Sequence, residues 1–285
     1  MTANELTGEP FDRVRHYARE WCLEVEDVFE TETSAIALVS RADQPLVLKV
    51  VKQQDDEWYS GEVLEAFGGS GVARVYEHTG GAMLIERLRP GNSLVSLTRE
   101  GKDEEATEML AEVIQKMSAR EISKVLEHCA TTEYLAKGFA RYLATNDEQI
   151  PGRLVESAQQ MYMDLCTSQR STSLLHGDFH HYNVLFDAER GWLAIDPKGV
   201  VGELEYEIGA VLRNPQEQSQ LFLSPSTIER RLNQFTKKLN LDRERTIRWA
   251  FAQAVLSAIW EIEDGANVDA TNSSLRLAET IRPML

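Results

Sequence analysis

Residues 174–186 read Leu-Leu-His-Gly-Asp-Phe-His-His-Tyr-Asn-Val-Leu-Phe. In this stretch Asp178 stands five positions before Asn183, after a His-Gly pair and before a short apolar run. A polar turn then leads into a second apolar run, residues 192–195, which is followed by Asp196. The order of strand, turn and strand predicts a β-hairpin that carries Asn183 at its start and Asp196 at its end.

The residue types at these three positions suit phosphoryl transfer from ATP. The carboxylate of Asp178 can accept the proton of an attacking hydroxyl, while Asn183 and Asp196 can hold the magnesium ion that bridges the phosphates. The spacing matches the catalytic loop of kinases, Asp-x-x-x-x-Asn, with a metal-binding Asp on the next hairpin. An Asp and an Asn at this spacing are common by chance, so the weight comes from the strands around them. The structural alternative is a polar loop that only caps a hairpin.

Three histidines in the same loop, His176, His180 and His181, allow a different interpretation. Closely spaced histidines can bind zinc, but two further ligands of matching type are needed. The nearest cysteine is Cys166, and the chain contains neither Cys-x-x-Cys nor His-Glu-x-x-His. We therefore expect His176 to donate hydrogen bonds to the backbone and to brace the loop.

The sequence resembles the aminoglycoside phosphotransferase superfamily, and within it the streptomycin 6-phosphotransferase and hydroxyurea phosphotransferase branch. The resemblance spans nearly the whole chain and is specific over residues 174–215. There it rests on the loop quoted above and on Leu193-Ala194-Ile195-Asp196-Pro197-Lys198-Gly199, Gly202-Glu203-Leu204-Glu205-Tyr206-Glu207-Ile208-Gly209-Ala210 and Leu212-Arg213-Asn214-Pro215. The Pro-Lys pair is typical of this branch, because most other relatives have an aromatic residue after the metal-binding Asp.

The resemblance implies an α+β, protein-kinase-like fold of two lobes, and the residue pattern agrees with it. Residues 1–88 are expected to form a small antiparallel-sheet lobe that binds the nucleotide. Residues 89–285 are expected to form a mainly helical lobe with the catalytic loop and the acceptor site. Strands are predicted at 22–29, 35–40, 46–50, 72–76 and 83–88. Helices are predicted at 10–20, 57–67, 103–118, 133–144, 152–168, 203–212, 226–239, 242–263 and 272–281.

The same resemblance implies the roles of the loop residues. Asp178 would be the catalytic base, and Asn183 and Asp196 would be the ligands of the metal. The implied cofactors are ATP and Mg²⁺. Catalysis would then come mainly from positioning and charge neutralisation, because the protein does little covalent chemistry in such a reaction.

The nucleotide contacts are also carried over by resemblance. Lys49, on a predicted strand, would hold the α- and β-phosphates. Glu62 is the first candidate for its ion-pair partner, and Glu65, on a similar face of the same predicted helix, is the second. Backbone groups around Arg87 and Leu88 would hydrogen-bond the adenine. The structural alternatives are an ordinary edge-strand lysine, solvated glutamates and a strand that simply ends.

One segment departs from the kinase pattern. Protein kinases cover the phosphates with a Gly-x-Gly-x-x-Gly turn, whereas residues 29–34 contain no glycine. Thr33 or Ser34 could still offer a hydroxyl or a backbone N–H to a phosphate. Glu30 and Glu32 would oppose the phosphate charge unless they point away, so contacts from this turn stay open.

Composition narrows the class of protein. The chain has 285 residues, enough for two lobes with a core each, and its 42% hydrophobic and 27% charged residues are ordinary for a globular protein. No apolar run is long enough to span a bilayer, and the first residues do not form a signal peptide. The three cysteines are far apart and are expected to be reduced and buried, which favours a cytoplasmic location.

The net charge of −16 argues against a nucleic-acid partner, which would require a basic surface. It is also unfavourable for ATP, so magnesium and Lys49 must compensate locally. An acidic surface favours a cationic small-molecule acceptor through steering, although general solubility explains it as well. Residues 260–264 and the glutamates at 203, 205 and 207 could hold such a cation or serve the fold.

These observations favour an ATP-dependent phosphotransferase acting on a hydroxyl of a small molecule. By resemblance, the acceptor is an aminoglycoside such as streptomycin, or hydroxyurea. Two alternatives stay open: a kinase of a housekeeping metabolite such as a choline-, fructosamine- or sugar-like compound, and a nucleotide-binding regulator without catalysis. Phosphorylation of proteins is disfavoured, because no long activation segment separates Asp196 from the predicted helix near Glu203.

Overall fold

The computed structural model describes residues 10–54, 56–118, 127–145 and 147–285. Its N-terminal part contains five strands: β1 Glu24–Glu30, β2 Ser34–Arg41, β3 Gln44–Val51, β4 Val75–Thr79 and β5 Ala82–Glu86. They form one antiparallel sheet in the order β1-β2-β3-β5-β4. Two helices accompany this sheet, α1 Pro10–Glu20 and α2 Ser60–Phe67. The predicted small antiparallel-sheet lobe is confirmed.

Strand β3 divides its side chains between two faces of the sheet. Leu46, Leu48 and Val50 are fully buried and belong to a core shared with helix α1. Successive side chains of a strand point to opposite faces, so Lys49 lies on the other side. Val47, on that other side, packs against the larger core to which helix α2 contributes. The alternation therefore places one lysine on the α2 side of the sheet.

The C-terminal part is mainly helical, as predicted. Its helices are α3 Val95–Arg99, α4 Asp103–Ser118, α5 Thr132–Leu135, α6 Lys137–Leu143, α7 Gly152–Thr167, α8 Ile208–Leu212, α9 Ser219–Phe222, α10 Pro225–Leu239, α11 Arg243–Glu263 and α12 Ser273–Ile281. Helix α11 is buried almost all round between Thr246 and Ile259, which is the pattern of a central helix. It packs against α7, α8 and α12.

Local sequence signals account for several helix ends. Asp242 accepts a hydrogen bond from the Arg245 N–H at 3.2 Å, which confirms it as the N-cap of α11. Helix α2 ends at Gly68, which adopts φ +58° and donates to the Leu64 and Glu65 carbonyls. Glycine adopts this left-handed conformation without steric cost, so the chain leaves the helix at Gly68.

Two small three-stranded sheets lie at the junction of the two parts. One has the order β10-β9-β6 and consists of β6 Pro90–Ser93, β9 Val184–Asp187 and β10 Gly191–Ala194. The other has the order β7-β11-β8 and consists of β7 Ala130–Thr131, β8 Ser173–Leu175 and β11 Val200–Gly202. Between β8 and β11 the chain runs through the loop and hairpin that the sequence singled out.

No helix within the described ranges is both long and apolar enough to cross a membrane. The three cysteines are free. Cys166 is buried and Cys129 half-buried, but Cys22 is exposed. The expectation that the cysteines are buried is therefore wrong for Cys22, which lies in the turn after α1 with φ +55°.

Candidate active site

The β9–β10 hairpin brings Asn183 and Asp196 together. Asn183 directly precedes β9, and its carbonyl accepts a hydrogen bond from the Ile195 N–H at 2.9 Å. Its side-chain amide donates to the Asp178 carbonyl at 3.0 Å, which leaves the amide oxygen of Asn183 directed elsewhere. Asp196 follows with φ +55°, an uncommon conformation for a residue with a side chain. The predicted hairpin with Asn183 at its start and Asp196 at its end is confirmed.

His176 braces the loop that carries Asp178. Its Nδ1 accepts the Asp178 N–H at 3.3 Å, so its Nε2 donates to the Ile195 carbonyl at 2.8 Å. Burial lowers the pKa of His176 to about 4, although the hydrogen bond to Ile195 opposes this, and the ring is neutral at pH 7. The prediction that His176 supports the loop through the backbone is confirmed.

Glu207 supports the same loop from the side of α8. Its carboxyl group accepts the His176 N–H at 2.7 Å and the Gly177 N–H at 3.1 Å. Burial raises the pKa of Glu207 to about 7, against the effect of these backbone donors. Among the three glutamates of the 203–207 segment, Glu207 is therefore the one that positions the loop of Asp178.

The Asp178 carboxyl group lies among cationic and imidazole side chains. Burial alone would raise the pKa of Asp178, but His180, Lys198 and Arg213 outweigh it and hold the pKa well below its usual range. The His180 Nε2 is 3.6 Å from the Asp178 Oδ1. Asp178 is therefore a carboxylate at neutral pH and can accept a hydrogen bond or a proton.

Arg213 is a buried cation of this site that the sequence did not single out as functional. Arg213 is only 7% exposed, and its Nη1 donates to the Gln253 Oε1 at 2.9 Å. Burial lowers the pKa of Arg213, and the charge of Asp178 opposes this. The only sequence signal was its place in the Leu-Arg-Asn-Pro stretch of the family resemblance.

Lys49 reaches the hairpin from the sheet. Its Nζ lies 2.8 Å from the Glu57 Oε2 and 3.0 Å from the Asp196 Oδ1. Burial would lower the pKa of Lys49, but Asp196 and Glu57 raise it above its ordinary value. Lys49 therefore stays charged and joins the sheet to the Asp196 end of the hairpin.

The partner predicted for Lys49 needs correction. The ion pair is made by Glu57, in the segment before α2, and not by Glu62 or Glu65. Gly61 explains why, because an added Cβ there would lie 2.5 Å from the His78 Cβ, so this residue of α2 faces the sheet. Glu62, the next residue, points about 100° further around the helix and thus away from the sheet. Its charge acts on Cys129 instead. Glu65 lies 3.1 Å from His78.

We expect Glu57→Gln to raise the KM for ATP by roughly tenfold, because Lys49 loses a buried charge-assisted hydrogen bond that orients it. Glu62→Gln is the matched control, since it makes the same change on α2, and we expect its KM to stay within about twofold. Steady-state kinetics with varied ATP measures both. A larger increase for Glu62→Gln than for Glu57→Gln would restore the original prediction.

The segment expected to bind adenine follows β5. The Arg87 guanidinium pairs with the Glu26 carboxylate at 2.6 Å, and Leu88 is buried. Among the described residues, no hydrogen bond uses the N–H or the carbonyl of Leu88. The next residue, Arg89, donates its N–H to the Asp187 carboxylate at 3.0 Å, which holds the segment against the hairpin.

The turn without glycine between β1 and β2 is closed on itself. The Thr31 N–H donates to the Ser34 carbonyl at 2.8 Å, and the Thr33 hydroxyl donates to the Glu57 carboxylate at 3.3 Å. Glu30 pairs with Lys52 at 3.1 Å. The Thr33 hydroxyl is thus engaged by Glu57, and the Ser34 N–H donates to the Thr31 hydroxyl at 3.0 Å. The Thr33 N–H makes no hydrogen bond to the described residues and stays a candidate phosphate contact.

The acidic segments considered for a cationic acceptor have partners within the protein. Glu263 forms a two-pronged pair with Arg141, both bonds at 2.9 Å, and Glu261 accepts from Asn272 and Ser274 at the start of α12. Glu203 is buried against Arg245 and Trp249. Of the two interpretations left open, the structure favours a role in the fold for these carboxylates.

Because two histidines of the loop are buried, we expect the protein to lose stability in acid. His176 and His181 are fully buried, and burial lowers both pKa values, that of His181 well below its ordinary range. The unfolded chain binds protons at these rings below about pH 6.5, whereas folded His176 does so only near pH 4. Stability therefore falls as the pH falls between these values, by about 3 kcal/mol for His176.

Replacing His181 separates the loss of stability in acid from the hydrogen bonds by which His176 supports the loop. Neither ring nitrogen of His181 has a hydrogen-bond partner among the described residues. We expect His181→Leu to change the free energy of unfolding at pH 7 by under about 1 kcal/mol and to reduce the loss between pH 7 and pH 5. His176→Leu should be less stable already at pH 7, and the exposed His16→Gln should match the wild type. Urea unfolding at both pH values measures this, and an unchanged acid loss in His181→Leu would contradict it.

The fold and the site together define the class. A sheet lobe with a buried lysine faces a helical lobe whose loop and hairpin present an Asp, an Asn and a second Asp, as in protein-kinase-like phosphotransferases. The chain belongs to the aminoglycoside/hydroxyurea antibiotic resistance kinase family, whose sequence profile matches residues 20–265. It is therefore an enzyme that transfers a phosphoryl group to a small molecule. The predicted branch of the superfamily is confirmed.

Individual relatives agree with this assignment. The chain is 31% identical to the streptomycin 3''-kinase of Klebsiella pneumoniae, over 84% of this chain and 88% of that protein. It is 26% identical to the streptomycin 6-kinase of Streptomyces griseus, over 88% and 81% respectively. The crystal structure of aminoglycoside phosphotransferase APH(4)-Ia superposes with a TM-score of 0.67 at 16% identity, covering 95% of this chain and 98% of that one. This last likeness concerns the fold, and it confirms the predicted fold class.

Proposed function

We propose that this protein is an ATP- and magnesium-dependent kinase that phosphorylates a hydroxyl group of streptomycin or, as the second candidate, hydroxyurea. The observation that carries the proposal is the convergence of Lys49 from the sheet with Asp196 from the hairpin, at 3.0 Å, beside the loop of Asp178 and Asn183. These are the groups that phosphoryl transfer needs, and they come from separate parts of the chain.

The donor set suits magnesium. Asn183 and Asp196 would hold the ion through an amide oxygen and a carboxylate, the hard oxygen ligands that Mg²⁺ prefers. The amide hydrogen bond to the Asp178 carbonyl turns the Asn183 oxygen toward the other side, where a cation can be bound. Two protein ligands are enough, because Mg²⁺ commonly completes its coordination with water and phosphate oxygens. When bound, the ion supplies charge neutralisation of the phosphates.

Asp178 is assigned the role of the base. A bond forms between the acceptor oxygen and the γ-phosphorus while the bond from that phosphorus to the β-phosphate oxygen breaks. The hydroxyl proton passes to the Asp178 carboxylate, and ADP leaves with the electron pair of the broken bond. The ionised state of Asp178 supports this role, because only a carboxylate can receive the proton.

The nucleotide is assigned to the cleft between the sheet and the hairpin. Lys49 would pair with the α- and β-phosphates, braced by Glu57. The backbone groups of Arg87 and Leu88 would meet the adenine, and the unused N–H and carbonyl of Leu88 support this. ATP as donor, together with three free cysteines, fits a cytoplasmic enzyme.

The choice of acceptor rests on the family and on charge. Streptomycin carries cationic guanidinium groups, and a protein with a net charge of −16 attracts a cation by long-range steering. The relatives named for streptomycin include both a 3''-kinase and a 6-kinase, so the hydroxyl attacked is left to experiment. Hydroxyurea is neutral and would gain nothing from steering.

The test is magnesium-dependent ADP release with streptomycin and with hydroxyurea as acceptors, run beside Asp178→Asn. Turnover with streptomycin that needs magnesium and disappears in the variant is the expected result, and mass spectrometry of the product identifies the hydroxyl. Turnover with hydroxyurea alone would select the second candidate. Turnover only with choline- or sugar-like acceptors would indicate a metabolite kinase, and ATP binding without any turnover would indicate a regulator. GTP in place of ATP tests the donor.

A further inference from the structure

The backbone of Lys198 is fixed beside the catalytic loop. Lys198 lies two residues after Asp196, between β10 and β11, and its N–H donates to the His176 carbonyl at 2.9 Å. The following N–H, of Gly199, donates to the same carbonyl at 3.0 Å. Gly199 has φ +75°, and a Cβ there would lie 2.7 Å from the Cys129 Sγ, so the segment has little freedom to move.

The side chain of Lys198 spans the two lobes. Its Nζ lies 2.7 Å from the Asp56 Oδ2, and the side chain is 36% exposed. Burial would lower the pKa of Lys198, but the carboxylates of Asp178 and Asp56 raise it, so the group is a cation. Lys198 therefore carries its charge near the Asp178 carboxylate, between the catalytic loop and the segment before α2.

This ion pair is one of several contacts between the 56–60 segment and the C-terminal part. The Ser60 hydroxyl donates to the Pro197 carbonyl at 2.6 Å, and Ser60 is only 1% exposed. The ring of Tyr59 stacks on His128 with centroids 3.9 Å apart. Because these other contacts hold the segment, Lys198 can leave Asp56 without separating the two parts.

Other cations of the site are already engaged. Lys49 is shared between Glu57 and Asp196, and Arg213 is buried with a hydrogen bond to Gln253. Lys198, in contrast, has a single ion pair among the described residues, with a carboxylate that is 57% exposed. An exposed ion pair contributes little to stability, so Lys198 can exchange Asp56 for a partner of higher negative charge, such as a phosphate group, at a net gain in free energy.

The turn between β1 and β2 increases the need for a further cation. In kinases a glycine-rich turn covers the phosphates, whereas here the turn has no glycine and its Thr31 and Thr33 groups are bonded within the protein. Glu30 is paired with Lys52, and Glu32 adds negative charge to the same turn. The turn thus holds no unpaired cation among the described residues, which favours neutralisation of the phosphate farthest from Lys49 from the side of the hairpin.

We propose that Lys198 is a further catalytic residue, which leaves Asp56 when the nucleotide binds and donates a hydrogen bond to the γ-phosphoryl group. This inference rests on the proposed kinase function. Lys198 would then compensate the charge on the transferred group while Asp178 receives the proton of the acceptor.

Binding of two nucleotides tests the proposal without turnover. Titration calorimetry measures the affinity for ADP and for the non-hydrolysable ATP analogue AMP-PNP, each with magnesium, because only AMP-PNP carries a γ-phosphoryl group. In Lys198→Met we expect AMP-PNP to bind roughly 10- to 100-fold more weakly and ADP to change by less than about twofold. Lys198→Arg should keep most of the AMP-PNP affinity. Lys238→Met, which removes another half-buried lysine ion pair remote from the site, should match the wild type.

Asp56→Asn separates a catalytic role from a purely structural one. It breaks the same ion pair but leaves the lysine, so we expect unchanged or tighter AMP-PNP binding and retained kcat, whereas kcat of Lys198→Met falls about 100-fold. If Asp56→Asn reproduces the losses of Lys198→Met, or if Lys198→Met weakens both nucleotides equally, the proposal is wrong. Failure of the wild type to bind either nucleotide would instead remove the kinase function itself.

Discussion

Asp178→Asn should lower kcat for phosphoryl transfer by about 100- to 10,000-fold while the affinity for AMP-PNP changes little. The substitution keeps the shape of the side chain and removes the proton acceptor. In the wild type the carboxylate is ionised, because His180, Lys198 and Arg213 outweigh the effect of burial on the pKa of Asp178. ADP release under saturating acceptor, together with calorimetry for the nucleotide, measures both quantities.

The control is Asp164→Asn, an equivalent change on the exposed side of α7, where the carboxylate accepts, among the described residues, only from Gln160 at 2.8 Å. Its kcat should equal that of the wild type. Thermal unfolding of both variants guards against loss of structure, since the amide at position 178 removes the Asp178 charge that offsets the burial of Arg213. If a folded Asp178→Asn protein turned over at the wild-type rate, Asp178 would not be the base.

Asp103→Ala should have the largest effect on stability, a loss of about 3–5 kcal/mol in the free energy of unfolding. The carboxylate pairs with Arg231, whose side chain is fully buried, and it joins the start of α4 to α10. Arg231 also donates to the Asn214 carbonyl at 2.7 Å. Removing the carboxylate leaves a buried guanidinium with backbone acceptors only, and an uncompensated buried charge is costly.

A double replacement shows whether the loss comes from the unpaired charge. Asp103→Leu with Arg231→Met removes both partners, and we expect it to cost clearly less than Asp103→Ala. Arg230 also contacts Asp103, at 2.5 Å, but its side chain is 32% exposed, so Arg230→Met should cost under about 1 kcal/mol. Urea unfolding at pH 7 measures the series. Equal losses for the single and the double variant would mean that packing, not charge, determines this site.

Most of the secondary structure could be predicted from short-range patterns in the sequence. The strand predicted at 46–50, which carries Lys49, and the helix predicted at 242–263 are present in the structure as β3 and α11. The prediction of one continuous helix at 133–144 was less accurate, because the chain forms α5 and α6 with a break at Ala136. The propensities of neighbouring residues decide where an element forms, but packing decides its continuity.

Ion pairs that form between separate elements could not be predicted. Lys49 and Glu57 are only eight residues apart, yet the choice of partner among Glu57, Glu62 and Glu65 depended on how closely Gly61 lets α2 approach the sheet. Arg141 neutralises Glu263, 122 residues away, and this pairing removed the acidic end of α11 from the candidates for a cation site.

The sequence by itself determined the chemistry, because the Asp-x-x-x-x-Asn loop, the hairpin and Asp196 lie within one local run whose order and spacing can be read directly. Only the tertiary structure decided which charges surround that chemistry. The pairing of Lys198 with Asp56, and the places of Glu57 and Arg213, result from the packing of separate elements against one another. The position of a charged residue in the sequence does not indicate which residue it will pair with. The ion pair forms only after the packing of apolar faces has brought both elements together.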